Sequence, residues 1–583
     1  MRNFNVLSRR SFLDRSLKTS LGVALSTLVD IPFVVKRALA EGNIGLNGKK
    51  ILFVWLRFGN DGLNNVIPIQ DPEYAAIRST IEIPKDAIDY SATGPCDFPV
   101  SSPAVGDPAF SPYWYNKGIR LGNGFAALHP ALKFLAPVYN AGDLAIVHRV
   151  AYPKQSRSHF TSQNYWENGN PNNNLSKDGI FYRAILESGL ANTSPLTGIS
   201  IQSALPLLLR GSQAAMTNLT SPTRYDLLGV PTNTGDNKAF NAMASGNYYP
   251  FPPKRSRDLL ELQYQNMSNT LRIFGGINFS DAGNTFRDDV NTDGDTAPYH
   301  LFPTSNAKNG GYALHGNDTA KYVVPTNQYG FFNNLKAAAM ILNKTDAIIA
   351  GTELSGFDTH QTQGGATGSH ANLLQTVGWS MYALQKYFTQ YAEKTAWQDV
   401  VVVTFSEFGR TSVENSDAGT DHAEAGVMYV AGGGVKGYGQ GNGSGVFGCS
   451  PTDSIPWITG TRTNNLSSCN TMYAAGLPLS NNSLPVAAGY LRRSTDYRSV
   501  LGEIIRKHLG ATQTQLNNII PGYGNPGEGL LAGGTSSVDG VQIRGNSAFC
   551  SRWVFVAVHP GSQNQPAGTL KAILGIILSG FIL

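Results

Sequence analysis

The sequence predicts an α/β fold, a doubly wound and mostly parallel sheet flanked by helices. Short apolar runs such as 51–56 and 400–405 are continuous rather than alternating, which is typical of strands buried on both faces. Amphipathic helical segments alternate with these runs, as in parallel sheets covered by helices. Polar loops that contain Asp, His and Glu follow several of the predicted strands. Ligands of such sheets bind beyond the carboxyl ends of the strands, so these loops are the expected site.

The elements of the main domain follow from apolar periodicity. One helix shows it most clearly, because apolar residues recur every three or four positions from Leu373 to Tyr391. The predicted elements are, in chain order, a strand at 51–56, a helix at 130–139 ended by Gly142, a strand at 144–147, a helix at 328–344, a strand at 347–350, the helix that includes Leu373 and Tyr391, and strands at 400–405 and 427–430.

The main domain is predicted to span 45–525. Between 196 and 327 the periodicity is lost in Pro-, Asn- and Gly-rich sequence, which predicts a loop-rich insertion or cap. Residues 526–583 form a C-terminal tail of unclear role. Its last part, 570–583, is strongly apolar but shorter than the roughly 20 residues that span a bilayer. We expect membrane contact only through this tail.

The first 40 residues are typical of a twin-arginine signal peptide. The paired Arg9 and Arg10 are followed by an apolar stretch and by a small-residue cleavage site that ends at Ala40. A short amphipathic anchor is the alternative. We expect the twin-arginine translocase to export the chain to the periplasm or the cell exterior. That route carries folded proteins, which favours a metal or cofactor loaded before export.

Charge and cysteine spacing exclude several classes of function. Residues 1–40 contain seven Lys and Arg and two Asp, so they carry all of the formal charge of +5, and the remaining chain is near neutral. A neutral chain offers no basic surface for nucleic acid, and no nucleic-acid partner is expected. The four cysteines lack CxxC spacing, which argues against haem, iron–sulfur and thiolate zinc sites. Cys449 and Cys469 are either a disulfide or two thiols.

Two Asp/His pairs are the leading candidates for a metal site. Asp358 with His360, and Asp421 with His422, each present a carboxylate and an imidazole from neighbouring positions, and together they supply four O/N ligands. Asp61, behind the first strand, would add a carboxylate. The expected cofactor is a divalent metal: zinc, manganese, magnesium or calcium. Such residues also cap turns and helices, and Asp61 fits an Asp-Gly turn as well.

Four further residues are candidates for catalysis. Ser158 lies where a helix is predicted to begin, so it is either a nucleophile favoured by the helix dipole or a helix cap. His159 is a catalytic candidate, or a structural histidine held by hydrogen bonds. Glu407 is a candidate base or ligand, and Arg410 a candidate clamp for an oxyanion. The alternative for this last pair is an internal ion pair that stiffens the loop.

Five short motifs carry a family resemblance. Residues 59–64, 158–160, 356–360, 405–411 and 419–422 resemble, in order, the bacterial family catalogued as domain of unknown function 1501, over about 51–523. That family is similar to the alkaline phosphatase and sulfatase superfamily. The resemblance implies an alkaline-phosphatase-like fold and a divalent-metal site for phosphoryl or sulfuryl groups. It assigns Asp61 and the two Asp/His pairs as ligands and Ser158 as nucleophile.

The chain departs from the superfamily pattern in two places. Ser158 lacks the sulfatase Cys/Ser-x-Pro-x-Arg signature, and Asp421 and His422 lie beyond the loop that directly follows the strand 400–405. We therefore carry three hypotheses. The first is an exported metal-dependent hydrolase acting on phosphate or sulfate esters of a small molecule or polymer. The second is a catalytically inactive superfamily member that binds a ligand or partner at the cell envelope. The third is an exported structural protein that holds calcium.

Overall fold

A nine-stranded sheet forms the centre of the protein in a computed structural model. The structure describes residues 44–97, 116–190, 196–214, 216–220, 326–440, 443–450, 489–491 and 493–521, together with short pieces between 270 and 303. These residues all lie in the compact unit Met1–Arg544. The predicted signal peptide, Cys469, most of the predicted insertion and the C-terminal tail lie outside the described residues.

Most strands and helices of the described residues are short, and two helices are longer than 15 residues, Tyr329–Lys344 and Ser369–Gln390. The strands are β1 (Lys50–Leu56), β2 (Val66–Ile67), β3 (Ile119–Arg120), β4 (Ala127–Leu128), β5 (Leu144–Ala151), β6 (Gly198–Ile201), β7 (Thr217–Leu219), β8 (Arg287–Asp288), β9 (Tyr299–His300), β10 (Ile349–Leu354), β11 (Val400–Phe405), β12 (Gly426–Ala431), β13 (Val446–Phe447) and β14 (Thr495–Asp496). The α-helices are α1 (Gly62–Asn65), α2 (Pro72–Ile77), α3 (Leu135–Asn140), α4 (His159–Asn168), α5 (Ile180–Glu187), α6 (Tyr329–Lys344), α7 (Ser369–Gln390), α8 (Tyr497–Glu503) and α9 (Gln513–Ile519). Short 3₁₀ segments occur at Pro130–Leu132, Leu207–Leu209, Thr326–Gln328 and Trp397–Asp399, and a π-helical turn at Ile504–His508 follows α8.

The strand order confirms a mostly parallel central sheet. The order is β13-β5-β12-β11-β1-β10-β6-β7, with β14 also paired to β5. β1 is parallel to both of its neighbours, with Ile51 opposite Ile349 on β10 and Val401 on β11. β12 is antiparallel to β11 and to β5. All seven residues of β1 are buried, which explains why its apolar run does not alternate with polar residues.

Helices cover both faces of this sheet. Successive residues of β1 belong to two different apolar clusters: Leu52, Val54 and Leu56 to one, and Ile51, Phe53 and Trp55 to the other. Helices α6 and α7 pack on the first face, and helices α5, α8 and α9 pack on the second. The fold class predicted from the sequence, an α/β sheet flanked by helices, is therefore confirmed at this level.

Several element boundaries differ from the prediction. The strand predicted at 347–350 runs from Ile349 to Leu354, because the polar Thr352 and Glu353 continue the ladder beside β1. The helix predicted at 130–139 is a 3₁₀ turn followed by α3. β6 and β7 fall within the stretch 196–327 predicted as an insertion, yet they extend the central sheet. Within the described part of the chain, no helix is both long and apolar enough to cross a membrane.

The direction of β12 determines where its leading loop lies. β1, β10 and β11 are parallel, so the loops that follow them leave the same edge of the sheet. Because β12 runs in the opposite direction, the residues that precede Gly426 also lie at this edge. The topology thus brings the loop 419–425 to the loops behind three parallel strands, where ligands bind in such sheets.

Candidate metal centre

Backbone contacts hold the loops at this edge together. The amide of Phe357 donates to the carbonyl of Arg57, at 3.2 Å, and the amide of Thr420 donates to the carbonyl of Thr359, at 3.0 Å. Gly419 allows a close approach of two loops, since a Cβ there would lie 2.3 Å from the carbonyl carbon of His360. Any side chain at this position would push two loops of the site apart, which gives a physical reason for glycine in the motif 419–422.

Three histidine side chains surround one carboxylate oxygen. Asp358 Oδ1 lies 3.1 Å from His360 Nε2, 3.3 Å from His422 Nε2 and 3.6 Å from His159 Nε2. The Nε2 atoms of His360 and His422 are 2.9 Å apart. His159, Asp358 and His422 each offer a ligand atom within 4.8 Å of the others, a spacing that could hold a metal ion. The structure therefore brings three of the five predicted metal ligands together and adds His159, which the sequence suggested only as a catalytic residue.

The other ring nitrogen of each histidine faces an oxygen that can only accept. The acceptors are Glu407 Oε1 for His159 (2.8 Å), Asp421 Oδ1 for His360 (2.9 Å) and the Arg157 carbonyl for His422 (2.9 Å). When each Nδ1 donates to this acceptor, the Nε2 of the neutral ring presents a lone pair toward Asp358 and the other histidines. Histidines that bind metals are oriented in this way by outer carboxylates and backbone carbonyls.

The electrostatics of the centre favour a charged Asp358 carboxylate beside a neutral His422 imidazole. Partial burial lowers the pKa of His422, and the nearby Arg410 and His159 lower it further. Partial burial raises the pKa of Asp358, but its hydrogen bond to Arg410 and the charge of that guanidinium bring the pKa below the usual value. At neutral pH these two groups are a neutral imidazole and a charged carboxylate, the states in which each can bind a metal.

The donor set fits a transition-metal ion. His159 Nε2 is buried without a hydrogen-bond partner, and a buried unsatisfied acceptor is costly. Two imidazole lone pairs at 2.9 Å repel each other unless a proton or a cation lies near them. Zinc–nitrogen distances of about 2.0–2.1 Å place tetrahedral ligands roughly 3.3–3.4 Å apart. The three histidine nitrogens lie 3.1 to 3.6 Å from Asp358 Oδ1, near this spacing, while His159 and His422 offer atoms within 4.8 Å of each other. Imidazole donors suit zinc and related ions, whereas calcium prefers an all-oxygen shell.

Asp61 lies outside this cluster. Its carboxylate is fully buried and bonded to Arg78 Nη2 at 3.0 Å and to Gln363 Nε2 at 2.7 Å. Burial raises the pKa of Asp61, but the charge and hydrogen bonds of Arg78 lower it to about 2. It also accepts from Leu63 N as the cap of α1, in agreement with the turn interpretation. The geometry thus gives Asp61 a structural ion pair and offers no support for the predicted metal role.

Glu407 and Arg410 do not pair with each other. Glu407 is 1% exposed and also accepts from the amide of Phe58 at 2.9 Å, so its role is to orient His159. Arg410 is buried and donates to Asp358 and to the carbonyls of four residues: Gly59, Thr420, Phe58 and Phe357. Because its nitrogens make these contacts, the Arg410 guanidinium links the loops to one another and has no free pair of N–H donors for a substrate anion.

Ser158 and Asp421 occupy the rim of the centre. Ser158 is the exposed N-cap residue of α4, and its hydroxyl makes no capping hydrogen bond. This agrees with the predicted helix start and leaves the hydroxyl available. Asp421 accepts from His360 Nδ1 and from Asn415 at 3.3 Å, so it orients a histidine rather than facing the shared Asp358 oxygen.

Sequence reasoning missed two parts of the centre. The Arg157 carbonyl has no sequence signal, because any residue carries such an oxygen. The place of His159 in the candidate cluster had one usable signal: this histidine begins the helix that follows the buried strand β5, as Asp358 and His360 follow β10.

One comparison with known proteins gives a match. A family model described as "Protein of unknown function (DUF1501)" matches residues 308–446, which include Asp358, His360, Glu407, Arg410 and His422. This match supports the predicted family resemblance over that region. Searches of curated proteins and of solved structures find no match to the chain.

Proposed function

We propose that the protein is an exported, metal-dependent hydrolase of phosphate or sulfate esters. The observation that carries the proposal is the convergence of three Nε2 atoms on Asp358 Oδ1, each ring fixed through its Nδ1 by an outer oxygen. The resemblance to the alkaline phosphatase and sulfatase superfamily supplies the reaction class. The twin-arginine motif supports export from the sequence alone.

The roles of the residues follow from their contacts. His159, Asp358, His360 and His422 would hold the ion, while Glu407 keeps His159 in the required tautomer. A divalent ion in such a site polarises an ester oxygen and lowers the pKa of a nearby hydroxyl. Ser158 is the proposed nucleophile, because its hydroxyl is exposed at the N-terminus of α4, where the helix dipole favours an anion.

The test combines metal content with turnover. Protein purified from the exported fraction is analysed for bound metal and assayed on 4-nitrophenyl phosphate and 4-nitrophenyl sulfate after loading with zinc or manganese. The proposal expects about one ion per chain and hydrolysis of one ester class. Ser158→Ala is expected to retain the ion and lose turnover. Ser212→Ala, at an exposed serine whose amide donates to Asp178, serves as the control. Bound metal without hydrolysis of either ester contradicts the catalytic part.

A binding protein without turnover is the second candidate. The observation that favours it is Arg410. All three of its guanidinium nitrogens donate to backbone carbonyls or to Asp358, so this buried cation has no free pair of donors to stabilise a transition-state anion. In this case the ion stabilises the loop edge and its removal lowers the melting temperature, while no ester is hydrolysed. The calcium-scaffold hypothesis is disfavoured by the three imidazole donors.

A further inference from the structure

A groove of about 730 Å³ lies beside the candidate metal centre, at the carboxyl ends of β1, β6 and β10. Phe58 lines the groove, and its ring also meets His159 edge-on, with 5.4 Å between the centroids. Phe160, the residue after His159 on α4, lines the groove as well. The groove is therefore continuous with the histidines through two aromatic residues.

Both aromatic rings are presented to solvent. Phe160 is 87% exposed and Phe58 is 41% exposed. Phe58 has a φ of 80°, a left-handed conformation that costs a bulky residue about 1–3 kcal/mol. Its amide donates to Glu407 at 2.9 Å and its carbonyl accepts from Arg410 at 2.6 Å. Residues of the metal centre thus hold an apolar ring in a strained, exposed position, which is characteristic of ligand-binding sites.

The groove contains an unsatisfied buried acceptor. Gln202 is 4% exposed, and its amide nitrogen donates to the carbonyl of Ala204 at 3.0 Å. The side-chain oxygen of Gln202 is buried without a hydrogen-bond partner. Further amides and hydroxyls line the groove: Gln163, Asn164, Asn174, Ser203 and Ser355. These groups suit a ligand with many hydroxyl groups.

Two arginines and two glutamates line the groove, and both glutamates contact the same arginine. Arg57 bonds to Glu353 at 2.8 Å and to Glu167 at 3.3 Å, so its charge is neutralised within the fold. Arg210 is exposed at the groove, and it makes no ion pair with any residue in the described part of the chain. A ligand with an anionic substituent would find its counter-charge there.

We propose that this groove binds a carbohydrate chain that carries anionic substituents. A sugar ring offers an apolar face to Phe58 and Phe160 and hydroxyls to the amides, which matches the composition of the groove. A peptide fits less well, because the described lining of the groove lies beyond strand ends and includes no residue of the edge strand β7 for backbone pairing. The inference deepens the proposed function and depends on it only for the ester that would lie beside the histidines.

The test measures binding without metal or turnover. Metal-free protein, prepared with a chelator, is titrated calorimetrically with dextran sulfate oligosaccharides, with dextran and with poly-glutamate, at about 0.15 M salt to screen long-range attraction. We expect dextran sulfate to bind more tightly than either control polymer. Phe160→Ala is expected to weaken binding about tenfold, equivalent to about 1.4 kcal/mol. Leu46→Ala, at a residue that is 43% exposed and does not line the groove, should leave binding unchanged.

Several outcomes overturn the inference. These are no binding of any polymer, equal binding by wild type and Phe160→Ala, or tighter binding of poly-glutamate, which would indicate a peptide groove. Arg210→Ala is expected to reduce the preference for dextran sulfate over dextran, and an unchanged preference contradicts the assigned role of the cation. Carbohydrate binding with no hydrolysis after metal loading would overturn the proposed function and leave the groove assignment intact.

Discussion

Replacing Glu407 with Gln tests whether the outer hydrogen bonds prepare the centre for a metal. Glu407 Oε1 accepts from His159 Nδ1 at 2.8 Å and from the Phe58 amide at 2.9 Å, while Oε2 faces Trp55 Nε1 at 3.4 Å. In Gln an oxygen can keep the first two contacts, but the charge is lost and an NH₂ group faces the Trp55 donor. Loss of an outer-shell partner lowers metal affinity by about 10–100-fold, or about 1.4–2.7 kcal/mol.

The assay is competition for zinc against a chromophoric chelator at fixed pH, with far-UV circular dichroism as a check on folding. Glu167→Gln is the matched control, because Glu167 is also 1% exposed and paired with an arginine rather than with a histidine. We expect Glu167→Gln to bind zinc with unchanged affinity. Equal affinities for wild type and Glu407→Gln, with both folded, would refute the assigned role of Glu407.

Three further predictions concern ligands, loops and acid stability. Asp358→Ala and His422→Ala are each expected to lose bound metal, measured by mass spectrometry of the eluted ion, while melting cooperatively; full metal content in both would contradict the ligand assignment. Arg410→Ala should lower the free energy of unfolding in urea by about 3–5 kcal/mol, because it leaves buried carbonyls without a donor. Burial lowers the pKa of four histidines below the usual 6.5, to about 3 for His129 and His148 and about 4 for His370 and His508. Below pH 6.5 the unfolded chain therefore binds more protons than the folded chain. The free energy of unfolding should fall between about pH 6.5 and pH 4, by up to about 1.4 kcal/mol per pH unit for each histidine. Urea midpoints that stay constant over this range would refute this prediction.

Elements that are buried on both faces could be predicted from the sequence, because such burial produces a continuous run of apolar residues. β1 and β11 are buried on both faces, and their continuous apolar runs showed this directly. The strand predicted at 347–350 overlaps β10 only at its first two residues, because the polar Thr352 and Glu353 look like loop residues in the sequence. Thr352 is tolerated inside the sheet since its hydroxyl donates to the carbonyl of Ile201, a partner that is distant in sequence.

The sequence predicted the edge of the sheet at which the candidate centre lies, but not which side chains point into it. Strand-following loops indicated the correct edge, which is why Asp358, His360 and His422 meet there. Side-chain direction depends on tertiary partners, and these cannot be read from local spacing. Asp61 turns toward Arg78, a pairing across 17 residues of loop and short helix, and Asp421 turns its carboxylate toward a ring nitrogen of His360.

The most direct test of the central claim is anomalous diffraction from crystals soaked in zinc or manganese. We expect one strong peak in the anomalous difference map, bounded by the Nε2 atoms of His159, His360 and His422 and by the Asp358 carboxylate. Asp61 should still be paired to Arg78. Absence of a peak among these three histidines at saturating metal, or a peak at Asp61 instead, would contradict it.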